Sequence, residues 1–271
     1  MAARRALITG ASSGIGFATA QHLAARGYQV AAVARRGDRL AKLLATLPQV
    51  DGGPHMVCTL DLTDPVAIER VFGEVGEALG GLDLVVANAG IGYRARVEDL
   101  EPKELRRLFA TNVEGVLLGA RAALPFLRRG TRPVMVLVSS VVGRRGMPTM
   151  AAYSASKAAV CSIGEALRLE WAPLGIRVCT LNPGVTRTEI FERQSNPARL
   201  HDPELDQADA PDLVAEEIRK LDQNPAPERF LRWKWRWLGA LSIVAPKIAD
   251  RLLASREWMP PPPAGAAKVK G

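Results

Sequence analysis

The sequence predicts a single α/β domain with a doubly wound parallel sheet, in which helices cover both faces in a three-layer α/β/α arrangement. Two observations support this fold class. Six short apolar runs alternate with helical patterns along the chain, and the first run ends in a glycine-rich turn. The chain has 271 residues, enough for one large domain, and 48% of them are hydrophobic, which argues against disorder.

Charge and cysteine content narrow the classes of function. The formal net charge of +8 is compatible with a nucleic acid, an anionic membrane surface or a phosphorylated ligand. Nucleic acid is the least favoured, since no nucleic-acid-binding motif is visible. Cys58, Cys161 and Cys179 are scattered, which predicts reduced thiols in a cytoplasmic protein. The three histidines form no metal-ligand spacing with them, so no metal site is expected.

Neither a signal peptide nor a membrane span is expected. The N-terminus lacks the apolar core of a signal peptide. The longest charge-free apolar stretch near the C-terminus, residues 237–246, is too short to cross a bilayer.

The first strand leads into a predicted dinucleotide site. Residues 6–9 are typical of a buried parallel strand, and a helical pattern covers residues 17–26. Between them the glycines permit a tight turn and close approach of the backbone, while the helix N-terminus favours a pyrophosphate. Their spacing is Gly-x-x-x-Gly-x-Gly, which differs from the Gly-x-Gly-x-x-Gly of other Rossmann proteins. The residues predicted to hold the cofactor here are Gly10, Ser12, Ser13, Gly14, Ile15 and Gly16.

The end of the second strand predicts which cofactor binds. A protein that binds NAD is expected to end this strand, residues 29–34, with an acidic residue that holds the ribose hydroxyls. The chain has Ala34 there, followed by Arg35 and Arg36, whose guanidinium groups can pair with a 2′-phosphate. We therefore predict NADP over NAD. The alternative is an arginine pair on a solvated loop.

Two further strands are predicted at residues 56–60 and 82–87. Their carboxyl ends lie where ligands gather in open α/β sheets, and small residues after the second strand would let the backbone pass close to the cofactor. Asp64 precedes a proline and fits a helix N-cap better than a ligand. The candidate cofactor contacts at these strand ends are Asp61, Leu62, Asn88, Ala89 and Gly90.

A polar residue lies within the next predicted helix. Residues 102–122 have a helical pattern, and Asn112 falls in its middle. An asparagine amide competes there with the backbone hydrogen bonds, so the position is unfavourable by propensity. The side chain either faces water or marks a functional exception.

The main chemical signal is Tyr153, which Lys157 follows four residues later. In a helix the two side chains project from one face, one turn apart. A free tyrosine has a pKa of about 10, and a nearby ammonium group favours the phenolate, which prepares the hydroxyl for proton exchange with a substrate oxygen. Ser140 follows a predicted strand at residues 134–138 and can converge on the same point. By itself, the tyrosine–lysine spacing also occurs by chance on solvated helices.

Together with a sixth strand at residues 176–181, these residues resemble the short-chain dehydrogenase/reductase family. The likeness covers about residues 4–190 and includes every expected motif in order. The motifs are Thr9-Gly10-x-x-x-Gly14-Ile15-Gly16, Asp61-Leu62, Asn88-Ala89-Gly90, Asn112, Ser140, Tyr153-x-x-x-Lys157, and Pro183-Gly184 with Thr188.

The resemblance implies a role for each catalytic candidate. Tyr153 would be the general acid in carbonyl reduction and the base in alcohol oxidation. Lys157 would lower the pKa of Tyr153 and hydrogen-bond the nicotinamide ribose, and Ser140 would donate to the substrate oxygen. Asn112 would hold, through its main-chain carbonyl, a water in a proton relay to Lys157. The implied assembly is a homodimer or homotetramer built on the helices that carry Asn112 and Tyr153.

The resemblance also implies cofactor contacts at both ends of the dinucleotide. Asp61 and Leu62 would flank the adenine, and Tyr153 and Lys157 would contact the nicotinamide half. The loop after the sixth strand would contact the nicotinamide side through Pro183, Gly184, Thr186 and Thr188.

The C-terminal part follows the family pattern least. Beyond the core at residues 1–190, residues 189–227 correspond to a variable substrate-binding segment in which we predict a helix at 189–194, a lid-like loop at 195–211 and a helix at 212–221. Residues 228–259 form a basic and aromatic helical extension, with a short final strand near 229–232 as an option. Residues 260–271 are predicted to be a disordered tail.

The extension allows two interpretations. It looks similar to that of retinol- and steroid-type reductases of the family and their bacterial relatives. Tryptophans and basic residues beside an apolar run suit a peripheral membrane contact through residues 229–258, or an access surface for lipophilic substrates. Alternatively, the tryptophans pack on the domain and the charges are solvated.

The expected function is an NADP(H)-dependent oxidoreductase that interconverts an alcohol and a carbonyl on a small, lipophilic substrate. One rival is a 3-oxoacyl thioester reductase, which the absence of a glycine-rich C-terminus and the aromatic stretch 233–237 argue against. The other rival is a non-catalytic NADP-binding sensor or scaffold, which the presence of Ser140, Tyr153 and Lys157 disfavours.

Overall fold

The sheet has seven strands in the part of the chain that the computed structural model describes, residues 3–197, 200 and 208–254. The strands are Arg5–Thr9 (β1), Gln29–Ala34 (β2), Met56–Thr59 (β3), Leu84–Ala87 (β4), Val134–Val138 (β5), Arg177–Asn182 (β6) and Glu228–Phe230 (β7). All neighbouring pairs are parallel, in the order β3-β2-β1-β4-β5-β6-β7. The predicted doubly wound sheet is thereby confirmed.

Helices connect the strands and cover both faces of the sheet. They are Gly14–Ala24 (α1), Gly37–Leu44 (α2), Pro65–Ala78 (α3), Pro102–Phe109 (α4), Gly115–Leu127 (α5), Ala151–Trp171 (α6), Ile190–Arg193 (α7), Pro211–Gln223 (α8), Trp233–Val244 (α9) and Pro246–Ala254 (α10). The predicted N-cap at Asp64 is confirmed, because its carboxylate accepts hydrogen bonds from the backbone N–H groups of Val66 and Ala67 at 3.0 Å.

Two apolar cores lie on opposite faces of the sheet. Successive strand residues point to alternate faces, so Leu7 and Val85 join one core while Ile8 and Val86 join the other. Strand β2 is buried along its whole length. This burial on both faces explains why the strands are continuous apolar runs in the sequence.

The strand order reverses at β1, which has β2 on one side and β4 on the other. Connections on either side of this point leave in opposite directions, so a crevice opens outside the carboxyl ends of the two strands. The glycine-rich turn follows β1 and therefore lies in this crevice.

One helix differs from its prediction. The expected single helix at 102–122 is interrupted by a π-helical turn, Ala110–Glu114, between α4 and α5. Asn112 lies in this turn and is 1% exposed. Its Oδ1 accepts from the backbone N–H of Ile91 at 2.9 Å, and its Nδ2 donates to the Ile91 carbonyl at 3.0 Å. The π-turn thus coincides with the inward-directed side chain of Asn112, which hydrogen-bonds the segment that follows β4.

The C-terminal elements agree only partly with their predictions. A seventh strand forms at β7, where Asn182 Nδ2 and Arg144 Nε both donate to Glu228 Oε1 at 2.7 Å. The lid-like loop predicted at 195–211 lies partly outside the described residues, and the predicted tail at 260–271 lies wholly outside them. In the described ranges, none of the helices has the length and apolar character that crossing a bilayer requires.

Candidate active site

A cleft of about 650 Å³ opens at the carboxyl ends of β1, β2 and β4. Most of the predicted cofactor contacts line it, from both halves of the chain. They are Gly10, Ser12, Ser13, Gly14, Ile15, Arg35, Arg36, Asp61, Leu62, Asn88, Ala89, Gly90, Tyr153, Lys157 and Thr188.

The glycine-rich turn is shaped by backbone conformation and by space. Gly10 has φ of 71° and Gly14 has φ of 54°, conformations that L residues rarely adopt. A Cβ at Gly14 would also lie 2.8 Å from Thr188 Cγ2, across the cleft. A Cβ at Gly16 would lie only 2.4 Å from the Gly10 carbonyl oxygen. The N-cap residue Ser13 makes no side-chain hydrogen bond to the start of α1, so it leaves the first N–H groups of this helix to an anion such as a dinucleotide pyrophosphate.

Hydrogen bonds join the ends of the two central strands. Asn88 Nδ2 donates to the Thr9 carbonyl at 3.0 Å, and the backbone N–H groups of Asn88 and Ala89 donate to Thr9 Oγ1 at 3.1 Å. Asp61 Oδ1 accepts from the backbone N–H of Thr63 at 3.0 Å and from its hydroxyl at 2.9 Å. These bonds fix the floor of the cleft, whereas a contact of Asp61 with adenine stays a prediction.

Arg36 reaches across the cleft. Its guanidinium donates to Ser12 Oγ at 3.1 Å, to Ser13 Oγ at 2.7 Å and to Glu189 Oε2 at 2.7 Å. Arg35 is exposed on the rim. Sequence reasoning identified the two arginines but missed Glu189, since nothing in the sequence pairs residues that lie 153 positions apart.

Tyr153 stands where two spaces meet. It lines the large cleft and also a second cavity of about 120 Å³ beyond it. Lys157, one turn further along α6, lies with Nζ 5.9 Å from the centre of the Tyr153 ring and donates to the Val138 carbonyl at 3.0 Å. Ser140 follows β5 and lines the second cavity. The three predicted side chains are thus brought together.

Burial shifts the pKa values of both members of the tyrosine–lysine pair. It raises the pKa of Tyr153 to about 12, while a hydrogen bond with Ser140 acts in the opposite direction. It lowers the pKa of Lys157 to about 8, with the nearby Cys161 opposing this. The expected lowering of the Tyr153 pKa is therefore wrong for this structure, because removal from water disfavours the phenolate and the ammonium group bonds a backbone carbonyl. Tyr153 is protonated at neutral pH.

Asn112 lies behind the cleft. Besides its two bonds to Ile91, its Nδ2 donates to Ser156 Oγ at 3.1 Å. A Cβ at Gly90 would approach Asn112 Oδ1 to 3.2 Å and Lys157 Nζ to 3.4 Å. Asn112 thus ties the chain after β4 to α6, which holds the lysine in place. Its relay role stays a prediction.

The second cavity is mainly apolar. Three residues predicted to contact the nicotinamide side, Pro183, Gly184 and Thr186, line this cavity and not the larger cleft. The sequence did not identify its other walls, although the helical spacing of Trp235 and Leu238 on α9 is a usable signal. Those walls include Arg145, Met147, Met150, Phe191, Trp235 and Leu238.

Comparison with protein families and curated proteins gives consistent matches. A family model described as short chain dehydrogenase matches residues 4–198. An uncharacterized oxidoreductase of Mycobacterium tuberculosis (strain ATCC 25618 / H37Rv) is 36% identical over 253 residues, 93% of this chain and 97% of that one. Glucose 1-dehydrogenase of Gluconobacter oxydans is 38% identical over 75% of each chain. A 3beta-hydroxysteroid dehydrogenase of Mediterraneibacter gnavus is 37% identical over 70% of this chain and 68% of that one.

Solved structures with this fold include one complex with a derivative of NADP and one with NADH. An alcohol dehydrogenase from Thermococcus sibiricus complexed with 5-hydroxy-NADP is 32% identical, with a TM-score of 0.76, over 84% of this chain and 96% of that one. A 3-ketoacyl-(acyl-carrier-protein) reductase from Brucella melitensis complexed with NADH is 28% identical, with a TM-score of 0.75, over 84% and 96%.

Proposed function

The chain belongs to the short-chain dehydrogenase family, and on this premise we propose that it is an NADP(H)-dependent oxidoreductase acting on a carbonyl or alcohol of a small apolar substrate. The observation that carries the proposal is the position of Tyr153. Its side chain lines both the cleft that suits a dinucleotide and the apolar cavity beyond. A substrate oxygen in the cavity would therefore meet a proton donor at the boundary with the cofactor.

Each polar residue of the site has a separate role in the proposed reaction. The bound cofactor supplies the hydride. Tyr153 is protonated at neutral pH, as an ordinary phenol is, with burial raising its pKa further to about 12, and it gives this proton to the substrate oxygen in reduction. Ser140 donates a hydrogen bond to the same oxygen and stabilises the charge that develops there. Lys157 holds the ribose of the nicotinamide half, and Asn112 supports a water relay through its main-chain carbonyl.

The preference for NADP rests on Ala34, Arg35 and Arg36. Ala34 ends β2 without a carboxylate that would repel a 2′-phosphate, and two guanidinium groups follow it. Arg36 is anchored on Ser12 and Ser13, so its position at the glycine-rich turn is already set. An ordered arginine loses little side-chain entropy when it binds a phosphate.

We expect Arg36→Ala to weaken NADP binding by about tenfold to a hundredfold, because charge-assisted bonds to the 2′-phosphate are lost. NAD binding should change by less than about threefold, since NAD lacks that phosphate. Isothermal titration calorimetry with each cofactor measures both values. Arg70→Ala, which removes an exposed arginine paired with Glu74 on α3, is the control for net charge. A wild-type protein that binds NAD more tightly than NADP would contradict the proposal.

The substrate is proposed to be lipophilic. The cavity walls include Met147, Met150 and Phe191, together with Trp235 and Leu238. Phe191 belongs to α7, which supports a substrate-binding role for the segment 189–227.

The second candidate activity is 3-oxoacyl thioester reduction, favoured by the likeness to the Brucella melitensis reductase. A panel of acetoacetyl thioesters, steroids, retinoids and aliphatic ketones discriminates the two, and turnover of any of them excludes the non-catalytic sensor or scaffold.

Helix α9 supports a peripheral membrane contact because its two faces differ. Trp235, Leu238 and Gly239 point inward, towards the cavity and the body of the domain. Trp233 and Trp237, one turn apart on the outer face, are 75% and 66% exposed. Basic side chains are also exposed on these two helices, namely Lys234 and Arg236 on α9 and Lys247 and Arg251 on α10. Tryptophans flanked by basic residues match the charge and polarity of an anionic lipid interface.

We expect the 271-residue chain to co-sediment with vesicles that contain anionic phosphatidylserine, and the double substitution Trp233→Ser/Trp237→Ser to reduce the bound fraction at least about fivefold. The control is Val66→Ser/Val97→Ser, which removes exposed apolar side chains elsewhere. Self-association through the tryptophans would appear as a change of mass in light scattering without vesicles. Failure of the wild type to bind vesicles would contradict the membrane contact.

The proposed assembly and location are supported by other parts of the molecule. A homodimer or homotetramer built on the helices near Asn112 and Tyr153 is supported by exposed Leu117 on α5 and Leu169 on α6. The free thiols of Cys58, Cys161 and Cys179 suit a reducing cytoplasm.

A further inference from the structure

Glu189 carries a charge in the cofactor cleft that the proposed function does not use. It lies between Thr188 and α7, at the start of the proposed substrate segment, and lines the same cleft as Arg36. Its Oε2 is 2.7 Å from Arg36 Nη1, and both side chains are about one quarter exposed, at 26% and 25%. An ion pair therefore connects the two sides of the cleft.

Two more arginines surround the same carboxylate. Arg193 Nε lies 2.9 Å from Glu189 Oε2, and Arg39 Nη1 lies 3.5 Å from Oε1. These positive charges lower the pKa of Glu189, Arg36 contributing most, so the group is an anion at neutral pH. An anion held by several guanidinium groups is also how a phosphate is commonly bound in proteins.

We propose that Glu189 is a specificity-determining residue, an internal anion that competes with the cofactor 2′-phosphate for Arg36 and so reduces the preference for NADP over NAD. The inference rests on the proposed binding of the 2′-phosphate at Arg36. Glu189 would weaken that contact from within the same chain.

The donors of Arg36 explain the competition. Its Nε is directed to Ser12, its Nη2 to Ser13 and its Nη1 to Glu189. Three of the five guanidinium N–H groups are thus directed to these partners, so a 2′-phosphate that pairs with Arg36 either uses the remaining two beside the Glu189 carboxylate or replaces a partner. Two of the partners are neutral hydroxyls, whereas Glu189 is a second anion, so only Glu189 adds like-charge repulsion to the loss of a bond.

NAD is not subject to this competition. It carries a 2′-hydroxyl in place of the phosphate, and a carboxylate accepts hydrogen bonds from a ribose hydroxyl without repulsion. At the end of β2, the chain has Ala34 in place of the acidic residue expected of a protein that binds NAD. Glu189 places a negative charge in the same cleft from its opposite side. The charge of Glu189 should therefore weaken the binding of NADP and leave the binding of NAD unaffected.

The test compares cofactor affinity in three proteins. Dissociation constants for NADP⁺ and NAD⁺ are measured by isothermal titration calorimetry for the wild type, Glu189→Gln and Glu192→Gln. Glu192 is exposed on the same short helix, so its substitution makes the same charge change away from Arg36. Glutamine keeps the shape of the side chain, and Glu189→Ala serves as a second variant. Circular dichroism checks that each variant is folded.

We expect Glu189→Gln to tighten NADP⁺ binding by about three- to tenfold at low salt, and NAD⁺ binding to stay within about twofold or weaken. The gain should shrink at high salt, because partly exposed charges are screened. Glu192→Gln should leave the ratio of the two constants within about twofold of the wild type.

Two results would overturn the inference while leaving the proposed function intact. One is an unchanged NADP⁺/NAD⁺ ratio in both Glu189 variants. The other is weaker NADP⁺ binding in both, which would make Glu189 a structural support of Arg36. A wild-type protein that binds neither cofactor would instead contradict the proposed function itself, and the inference with it.

Discussion

Tyr153→Phe is expected to lower turnover by about a thousandfold and to leave cofactor binding within about twofold of the wild type. The substitution removes one oxygen atom and keeps the ring, so the packing of α6 against the cleft is preserved. The phenol lies between the cleft and the apolar cavity and holds its proton at neutral pH, as an ordinary tyrosine does, and burial raises its pKa further, to about 12. Without it the substrate oxygen must be protonated from water.

Steady-state kinetics and calorimetry together measure this effect. Tyr28→Phe is the matched control, because it makes the same chemical change at a buried tyrosine whose hydroxyl donates to Asp222 at 2.6 Å. That control should lose stability by about 1–3 kcal/mol and keep its turnover. We expect Ser140→Ala to lower turnover by about a hundredfold, because one hydrogen-bond donor to the developing oxyanion is lost. Wild-type turnover in Tyr153→Phe would exclude the assigned role.

Gly16→Ala is expected to weaken binding of either cofactor at least about tenfold and to lower the free energy of unfolding by about 1–3 kcal/mol. The added Cβ would lie 2.4 Å from the Gly10 carbonyl oxygen and 2.7 Å from Asn88 Nδ2. Both neighbours belong to the floor of the cleft, and Asn88 Nδ2 is already bonded to the Thr9 carbonyl. Relief of the clash must therefore move the turn that faces the cofactor.

Gly73→Ala is the control for this substitution. Gly73 lies in α3, and a Cβ there would meet no atom within 4 Å. Alanine should stabilise the helix by about 0.5–1 kcal/mol without affecting cofactor binding. Urea denaturation and calorimetry measure both quantities. If Gly16→Ala bound cofactor as tightly as Gly73→Ala, the close approach in the turn would be irrelevant to the site.

Local patterns in the sequence predicted most of the sheet because its inner strands, β1, β2, β4, β5 and β6, are buried along almost their whole length. Strand β2 illustrates this, since all its residues are apolar except the first and its predicted and observed bounds, Gln29–Ala34, coincide. The glycine-rich turn, the strand-end residues and the tyrosine–lysine spacing are likewise local in the chain. These features could therefore be read before the fold was known.

The features that escaped prediction depend on contacts between distant parts of the chain. The π-turn at Ala110–Glu114 is accompanied by the bonds between Asn112 and Ile91, which only the packed structure reveals. The ion pair of Arg36 with Glu189 and the placement of Trp235 in the cavity wall are of the same kind. The pKa of Tyr153 was predicted with the wrong sign, because spacing alone does not report burial.

The most direct test of the central claim follows a hydride from cofactor to substrate. The 271-residue chain is incubated with NADPH deuterated at the nicotinamide C4 position, with each face labelled in turn, and with the panel of apolar ketones, aldehydes and acetoacetyl thioesters. We predict deuterium on the carbinol carbon of an apolar product, its loss in Tyr153→Phe, and slower transfer from labelled NADH. Absence of transfer to any carbonyl, from either cofactor, would contradict the assignment of this site.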